Sequence, residues 1–120
     1  MTRILAVDDS PSMRDMVRIA LTSAGFDVIQ AHDGEHALEL ARKGTFDLIL
    51  SDVNMPRMDG IALIRALRAE ASYRHTPILM LTTDGSPERK KEGKEAGATG
   101  WIVKPFDPAQ LIATMHRVLR

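Results

Sequence analysis

The chain has 120 residues, 16 basic and 16 acidic side chains, a formal net charge of zero and no cysteine. That length is one domain by the usual size prior, the missing cysteine excludes disulfides and thiolate metal sites, and the charge balance lacks the basic excess of a nucleic-acid binder. The N-terminal apolar stretch is broken at Asp8-Asp9, too early for a signal sequence, and no apolar run approaches the length that spans a bilayer, so a cytoplasmic protein is expected.

Short apolar runs alternate with amphipathic segments. Arg3 to Val7 reads as a strand. Ser10-Pro11 then reads as a helix cap followed by proline in the first turn, where its missing N–H costs nothing. Met13, Met16, Val17, Ala20, Leu21 and Ala24 recur at helical spacing, and Gly25 ends the helix. Asp27 to Gln30 is a short second strand. Asp33-Gly34 opens a helix with Ala37, Leu38 and Ala41 on its apolar face, closed by Gly44. Phe46 to Ser51 is a third strand, and its Leu48-Ile49-Leu50 core lacks alternation, as in a central strand covered on both faces.

The stretch Asn54 to Gly60 is rich in turn formers. Ile61 to Ala71 follows as a helix, with Leu63, Ile64 and Leu67 inward. Pro77 limits the fourth strand to Ile78–Leu81. Ser86-Pro87 caps a helix ended by Gly97, whose only apolar residue is Ala96 and whose Gly93 costs about 1 kcal/mol relative to alanine. That helix is expected to be thinly anchored. Trp101 to Val103 is the fifth strand. Asp107-Pro108, with Gln110 at the third helical position, starts a last helix with Leu111, Ile112, Met115, Val118 and Leu119 inward.

Strict alternation of strand and helix argues a doubly wound parallel sheet with right-handed crossovers, whose ligands sit beyond the carboxyl ends of the strands. Five polar landmarks occupy such strand ends: Asp8, Asp9, Asp52, Thr82 and Lys104. Carboxylates brought together repel unless a cation joins them, and hard oxygen ligands suit Mg²⁺. Lys104 can reach a phosphoryl oxygen as a point charge, and the Thr82 hydroxyl can donate to the same oxygen. Carboxylate, metal and cationic clamp form a phosphoryl-transfer set, in which catalysis is mostly positioning and electrostatics. Asp8 and Asp9 suit the cation, leaving the lone Asp52 as phosphoacceptor. The loop beyond it can offer a backbone carbonyl near Asn54. No GxxxxGK[ST] motif occurs and the histidines show no ligand spacing, so the phosphoryl group is expected from a donor rather than from bound ATP.

These residues resemble a response-regulator receiver domain. The resemblance rests on Val7-Asp8-Asp9, Asp52, Met55-Pro56-x-Met58-Asp59-Gly60, Leu81-Thr82 and Lys104-Pro105-Phe106. Within the family the chain is most similar to the single-domain chemotaxis regulators of the CheY type, through Val7 to Arg14 and the segment Gly97 to Trp101. The resemblance implies a flavodoxin-like fold with strand order 2-1-3-4-5 over residues 1–120, without a separate output domain. It implies a signalling protein rather than an enzyme, receiving phosphate on Asp52 from a CheA-type histidine kinase. It further implies Mg²⁺ held by Asp9 directly, by Asp8 largely through water, by Asp52 and by the Asn54 carbonyl. Thr82 and Lys104 would bind the transferred group, across a cis Lys104-Pro105 bond. Trp101 stands at the family's aromatic switch position. Asn54 and Asp84 stand where side chains tune hydrolysis. The implied output surface includes Lys90, Lys91, Lys94 and Trp101, with a monomer engaging the flagellar motor switch. A stand-alone receiver acting as phosphate sink, relay or regulator of another partner stays open. A small-molecule phosphatase using an aspartyl phosphate stays open too, although Asp8-Asp9-Ser10 lacks the DxD spacing of the haloacid-dehalogenase type.

Overall fold

A computed structural model describes residues 1–119. Its elements in chain order are β1 (Arg3–Val7), α1 (Pro11–Ser23), β2 (Asp27–Ala31), α2 (Gly34–Lys43), β3 (Leu48–Ser51), α3 (Gly60–Ala69), a 3₁₀ turn (Ala71–Tyr73), β4 (Ile78–Thr82), α4 (Pro87–Ala96), β5 (Gly100–Val103) and α5 (Pro108–Val118). The strands form one parallel sheet in the order β2-β1-β3-β4-β5. The alternation implied the doubly wound parallel sheet, and the resemblance its flavodoxin-like strand order.

Alternation along each strand divides the core. Leu5, Val7, Ile49, Ile78 and Met80 face α2, α3 and α4, among Ala37, Leu38, Ala41, Ile61, Leu63, Ile64 and Leu67. Ile4, Ala6, Leu48, Leu50, Leu79 and Leu81 face the other way, onto Val17 and Leu21 of α1 and Leu111 and Met115 of α5. Helices thus cover both faces, which explains the unbroken apolar runs of the inner strands.

The caps form as their residue types dictate. Ser10, Asp33, Asp59 and Ser86 each accept from the backbone N–H three residues on, and Asp107 accepts from Ala109. Three readings need correction. Met16 is 54% exposed and Ala24 is exposed, because the buried stripe of α1 is narrower than the apolar spacing; Phe26, just past the helix, fills the end of that core instead. The third strand begins at Leu48, since Asp47 turns aside to exchange bonds with Arg3. Helix α3 stops at Ala69 and a 3₁₀ turn follows, which sends the Tyr73 hydroxyl to the carbonyls of Ala41 and Gly44.

Helix α4 buries only Gly93 and Ala96, so its apolar anchoring is as thin as the sequence suggests. Polar ties hold it instead. Arg68 of α3 donates to the Gly97 carbonyl through Nε at 3.1 Å and Nη2 at 2.8 Å, and to the carbonyls of Tyr73, Arg74 and Thr76 through Nη1. Arg89 pairs with the α3 cap Asp59 at 3.3 Å and with Glu92 at 3.2 Å. Gly93 has a purpose that propensity cannot reveal: a Cβ there would lie 2.6 Å from the Trp101 ring. The glycine is a seat for the indole.

Replacing Gly93 by alanine sets a propensity gain of about 1 kcal/mol against overpacking of about 1–3 kcal/mol. The indole cannot simply retreat, since its Nε1 is bonded to the Asp84 carbonyl. We therefore expect Gly93→Ala to lower the denaturation midpoint and shift the tryptophan emission. Fluorescence-monitored urea unfolding checks both, and a stabilised variant with unchanged emission would contradict the seat.

Candidate functional site

Register brings the polar landmarks together. Val7 pairs with Ser51, Ser51 with Met80, and Thr82 with Val103. The ladder continues one residue further: Asp8 N donates to Ala31 O at 3.2 Å, Asp52 N to Val7 O at 2.9 Å and Lys104 N to Thr82 O at 2.8 Å. The backbones bearing these side chains are therefore as fixed as the sheet. Gly60 closes the floor, because a Cβ there would overlap the Asp52 carbonyl oxygen.

Lys104 Nζ lies 2.8 Å from Asp8 Oδ2 and 3.3 Å from Asp52 Oδ2, with all three side chains at most 12% exposed. Each carboxylate has a second anchor. Asp8 Oδ1 accepts from Ser10 N at 2.9 Å, and Asp52 Oδ1 accepts from Val53 N at 2.7 Å. Arg14 donates to the Asp8 carbonyl at 2.7 Å, holding α1 against the site. Asp9 is exposed at the rim, and Asp8, Asp9 and Asp52 each offer an oxygen within 4.8 Å of the others. Three carboxylates outweigh one ammonium. The donor set is all hard oxygen with one open side, which fits Mg²⁺ that keeps several waters. The sequence-predicted triad is thus one cluster and a magnesium site.

Thr82 is fully buried, and its hydroxyl accepts from Asp84 N at 3.2 Å. The Asp84 carbonyl in turn accepts from Trp101 Nε1 at 3.0 Å. One residue of backbone thus links the hydroxyl to the half-buried indole. The Asp84 carboxylate accepts from Ser86 N at 3.0 Å and faces Arg89 Nε at 3.9 Å. The Ser86 backbone N–H, then its hydroxyl, hold this carboxyl below its ordinary range. Asp84 therefore points to the start of α4, while Asn54 is exposed beside Asp52. The Lys104-Pro105 peptide is cis. Lys90, Lys91 and Lys94 are exposed on α4, and Lys90 and Lys94 line a shallow groove with Trp101, Ala98 and Thr99.

Sequence reasoning gave no place in the site to Ser51, Arg68 or Arg89. Ser51 is fully buried and donates to the Asp52 carbonyl at 2.8 Å. A hydroxyl inside an otherwise apolar central strand was its signal. The arginines had none, since their carbonyl and carboxylate partners come from distant elements.

Comparison with known proteins agrees with this geometry. The family model of the response regulator receiver domain matches residues 4–116. Chemotaxis protein CheY-3 of Vibrio cholerae is 41% identical over 117 residues, covering 97% of this chain and 90% of that protein. The solved structure of Vibrio cholerae chemotaxis protein CheY4 superposes with a TM-score of 0.95 at 55% identity, covering 98% of both chains. The receiver domain of a Pseudomonas aeruginosa sensor histidine kinase, solved with magnesium coordinated in its active-site cleft, superposes with a TM-score of 0.92 at 30% identity over 98% of this chain and 97% of that one. The sheet order, the oxygen-lined acidic crevice with its buried lysine and these likenesses agree: the chain belongs to the response-regulator receiver domains, as a CheY-like receiver of phosphorelay signalling.

Proposed function

We propose that Asp52 accepts a phosphoryl group from a phosphohistidine on a CheA-type kinase and that the protein then acts, as a monomeric stand-alone receiver in the cytoplasm, on the flagellar motor switch. The observation that carries the chemistry is the ammonium of Lys104 between Asp8 and Asp52, beside a third carboxylate. Asp8, Asp9, Asp52 and the Asn54 carbonyl would hold Mg²⁺, which neutralises charge between carboxylates and phosphoryl oxygens. A carboxylate oxygen of Asp52 attacks phosphorus, the P–N bond to the donor imidazole breaks, and its nitrogen keeps the electron pair. The product is a mixed anhydride, whose hydrolysis returns the carboxylate and inorganic phosphate.

The residues around the crevice then have separate tasks. The Val53 N–H on Oδ1 fixes the Asp52 rotamer. Lys104, already in the crevice, moves a short way to a phosphoryl oxygen. Thr82 donates to another, and in turning gives up its bond from Asp84 N. Because Asp84 O holds the Trp101 indole, that change reaches the α4–β5 face with Lys90, Lys91 and Lys94. A shift between two such states needs about 1–3 kcal/mol of coupling. Asn54 tunes hydrolysis from the rim, and Asp84 does so through the loop it fastens to Ser86 and Arg89.

Asp52→Asn is expected to abolish hydroxylamine-sensitive phosphate incorporation from a phosphorylated histidine kinase; retained label at the wild-type level places the acceptor elsewhere. Asp9→Ala is expected to weaken Mg²⁺ binding, followed by quenching of Trp101, by about tenfold or more, equivalent to about 1.4 kcal/mol. An unchanged titration removes Asp9 from the ligand set. Beryllofluoride, which traps the acylphosphate-like state, is expected to raise affinity for purified motor-switch protein. Equal binding with and without it overturns the motor reading in favour of a phosphate sink or relay.

A further inference from the structure

The loop that leaves Asp52 is held in a conformation that L-amino acids avoid. Arg57 has φ +64°, the only positive value at a non-glycine position among the described residues. Across it, Met58 N donates to Pro56 O at 2.8 Å. A hydrogen bond spanning one residue of positive φ is a γ-turn of the rare, strained kind. Such strain persists only where the surroundings over-determine it, and it concentrates at functional sites.

Two contacts impose it, both from the start of α2. Arg57 Nη2 lies 2.5 Å from Oδ2 of Asp33, whose side chain is only 6% exposed. The other oxygen of Asp33 caps α2 by accepting from His36 N at 2.8 Å. That backbone bond, aided by Arg57, holds the Asp33 carboxyl below its ordinary range, so it stays charged. The next residue, Gly34, packs directly beneath the turn, since a Cβ there would be 2.6 Å from Met58 O. An exposed ion pair alone is worth little. Here the Asp33 carboxylate is immobilised by a helix cap, so the guanidinium docks on a fixed partner. Glu35 lies 3.6 Å from Arg57 Nε, and His32 Nδ1 lies 3.3 Å from the same Asp33 oxygen.

We infer that Arg57 is a positioning residue for cation binding: its tie to Asp33 holds the strained turn, and the turn sets the loop from which Asn54 offers its carbonyl. Arg57 touches no reacting atom. The inference rests on the proposed role of the Asn54 carbonyl. It extends the support of the metal site to the mouth of α2, which no acidic-cluster reading would include. Supporting contacts of metal ligands typically change affinity by about tenfold or more when removed.

Four variants separate positioning from mere folding. Arg57→Ala removes the guanidinium and leaves the positive-φ strain unheld, at an exposed position outside the core. Arg57→Gly removes the guanidinium and the strain together, so the turn forms without the tie. Asp33→Asn keeps an oxygen for the helix cap and removes the charge. Arg57→Lys keeps a cation. Mn²⁺, a stand-in for Mg²⁺, is titrated by loss of its free-ion paramagnetic resonance signal, and phosphorylation by acetyl phosphate is followed against Mg²⁺ concentration. The expected result is about tenfold weaker Mn²⁺ binding in Arg57→Ala and Asp33→Asn. Arg57→Lys and Arg57→Gly should recover most of it, and the phosphorylation rate at saturating Mg²⁺ should be unchanged. Wild-type Mn²⁺ affinity in Arg57→Ala overturns the inference. So does a fall in saturating rate and melting temperature together, which marks a structural role. Asp9→Ala serves as reference: if it too binds Mn²⁺ like wild type, the underlying metal reading fails, whereas loss there with no change in Arg57→Ala rejects only the inference.

Discussion

Everything at the carboxyl edge of this sheet is arranged around one ammonium group. Lys104 Nζ reaches both Asp8 and Asp52, across the width of three strands, from the end of β5. Buried carboxylates this close would otherwise repel or take up protons. The lysine between them offsets that repulsion. The lysine does not finish the neutralisation, because Asp9 adds a third carboxylate at the rim. The crevice is thus short of positive charge by construction, and it meets a divalent cation and a phosphoryl group as complementary partners. The strand ladder carries this precision, since each key backbone is bonded into the sheet beyond the last formal strand residue.

Around this centre the protein separates rigidity from compliance. Strands β1, β3 and β4 are buried on both faces and bear the acids and the threonine. The connections that follow them are held by directed polar contacts: Asp33 with Arg57, Arg89 with Asp59, Arg68 with the Gly97 carbonyl. A close-packed sheet core leaves little room for rearrangement, while the connections rest on a few directed contacts.

Much of this was legible in the sequence, for physical reasons that also mark where reading stops. The strand-end acids, Thr82 and Lys104 stood out because a polar residue directly after an apolar run has one structural explanation in a parallel sheet. Caps at Ser10, Asp33 and Ser86 are local chemistry and appear where local chemistry predicts. The role of Gly93 was opaque, because its partner Trp101 comes from another element, and a propensity scale records only the cost. Arg57 and Arg68 look like ordinary surface arginines until the fold brings a buried carboxylate to one and five donor–acceptor contacts with backbone carbonyls to the other. Met16 failed in the opposite sense, since apolar periodicity overstates the width of a buried stripe.

The seating of α4 has a thermal consequence. The helix meets the rest of the protein through a glycine, an alanine and a set of polar ties. Moving it uncovers little apolar surface, and heat capacity follows apolar exposure. A displacement of this helix therefore changes heat capacity little, and its free energy varies with temperature without the curvature that an apolar hinge would impose.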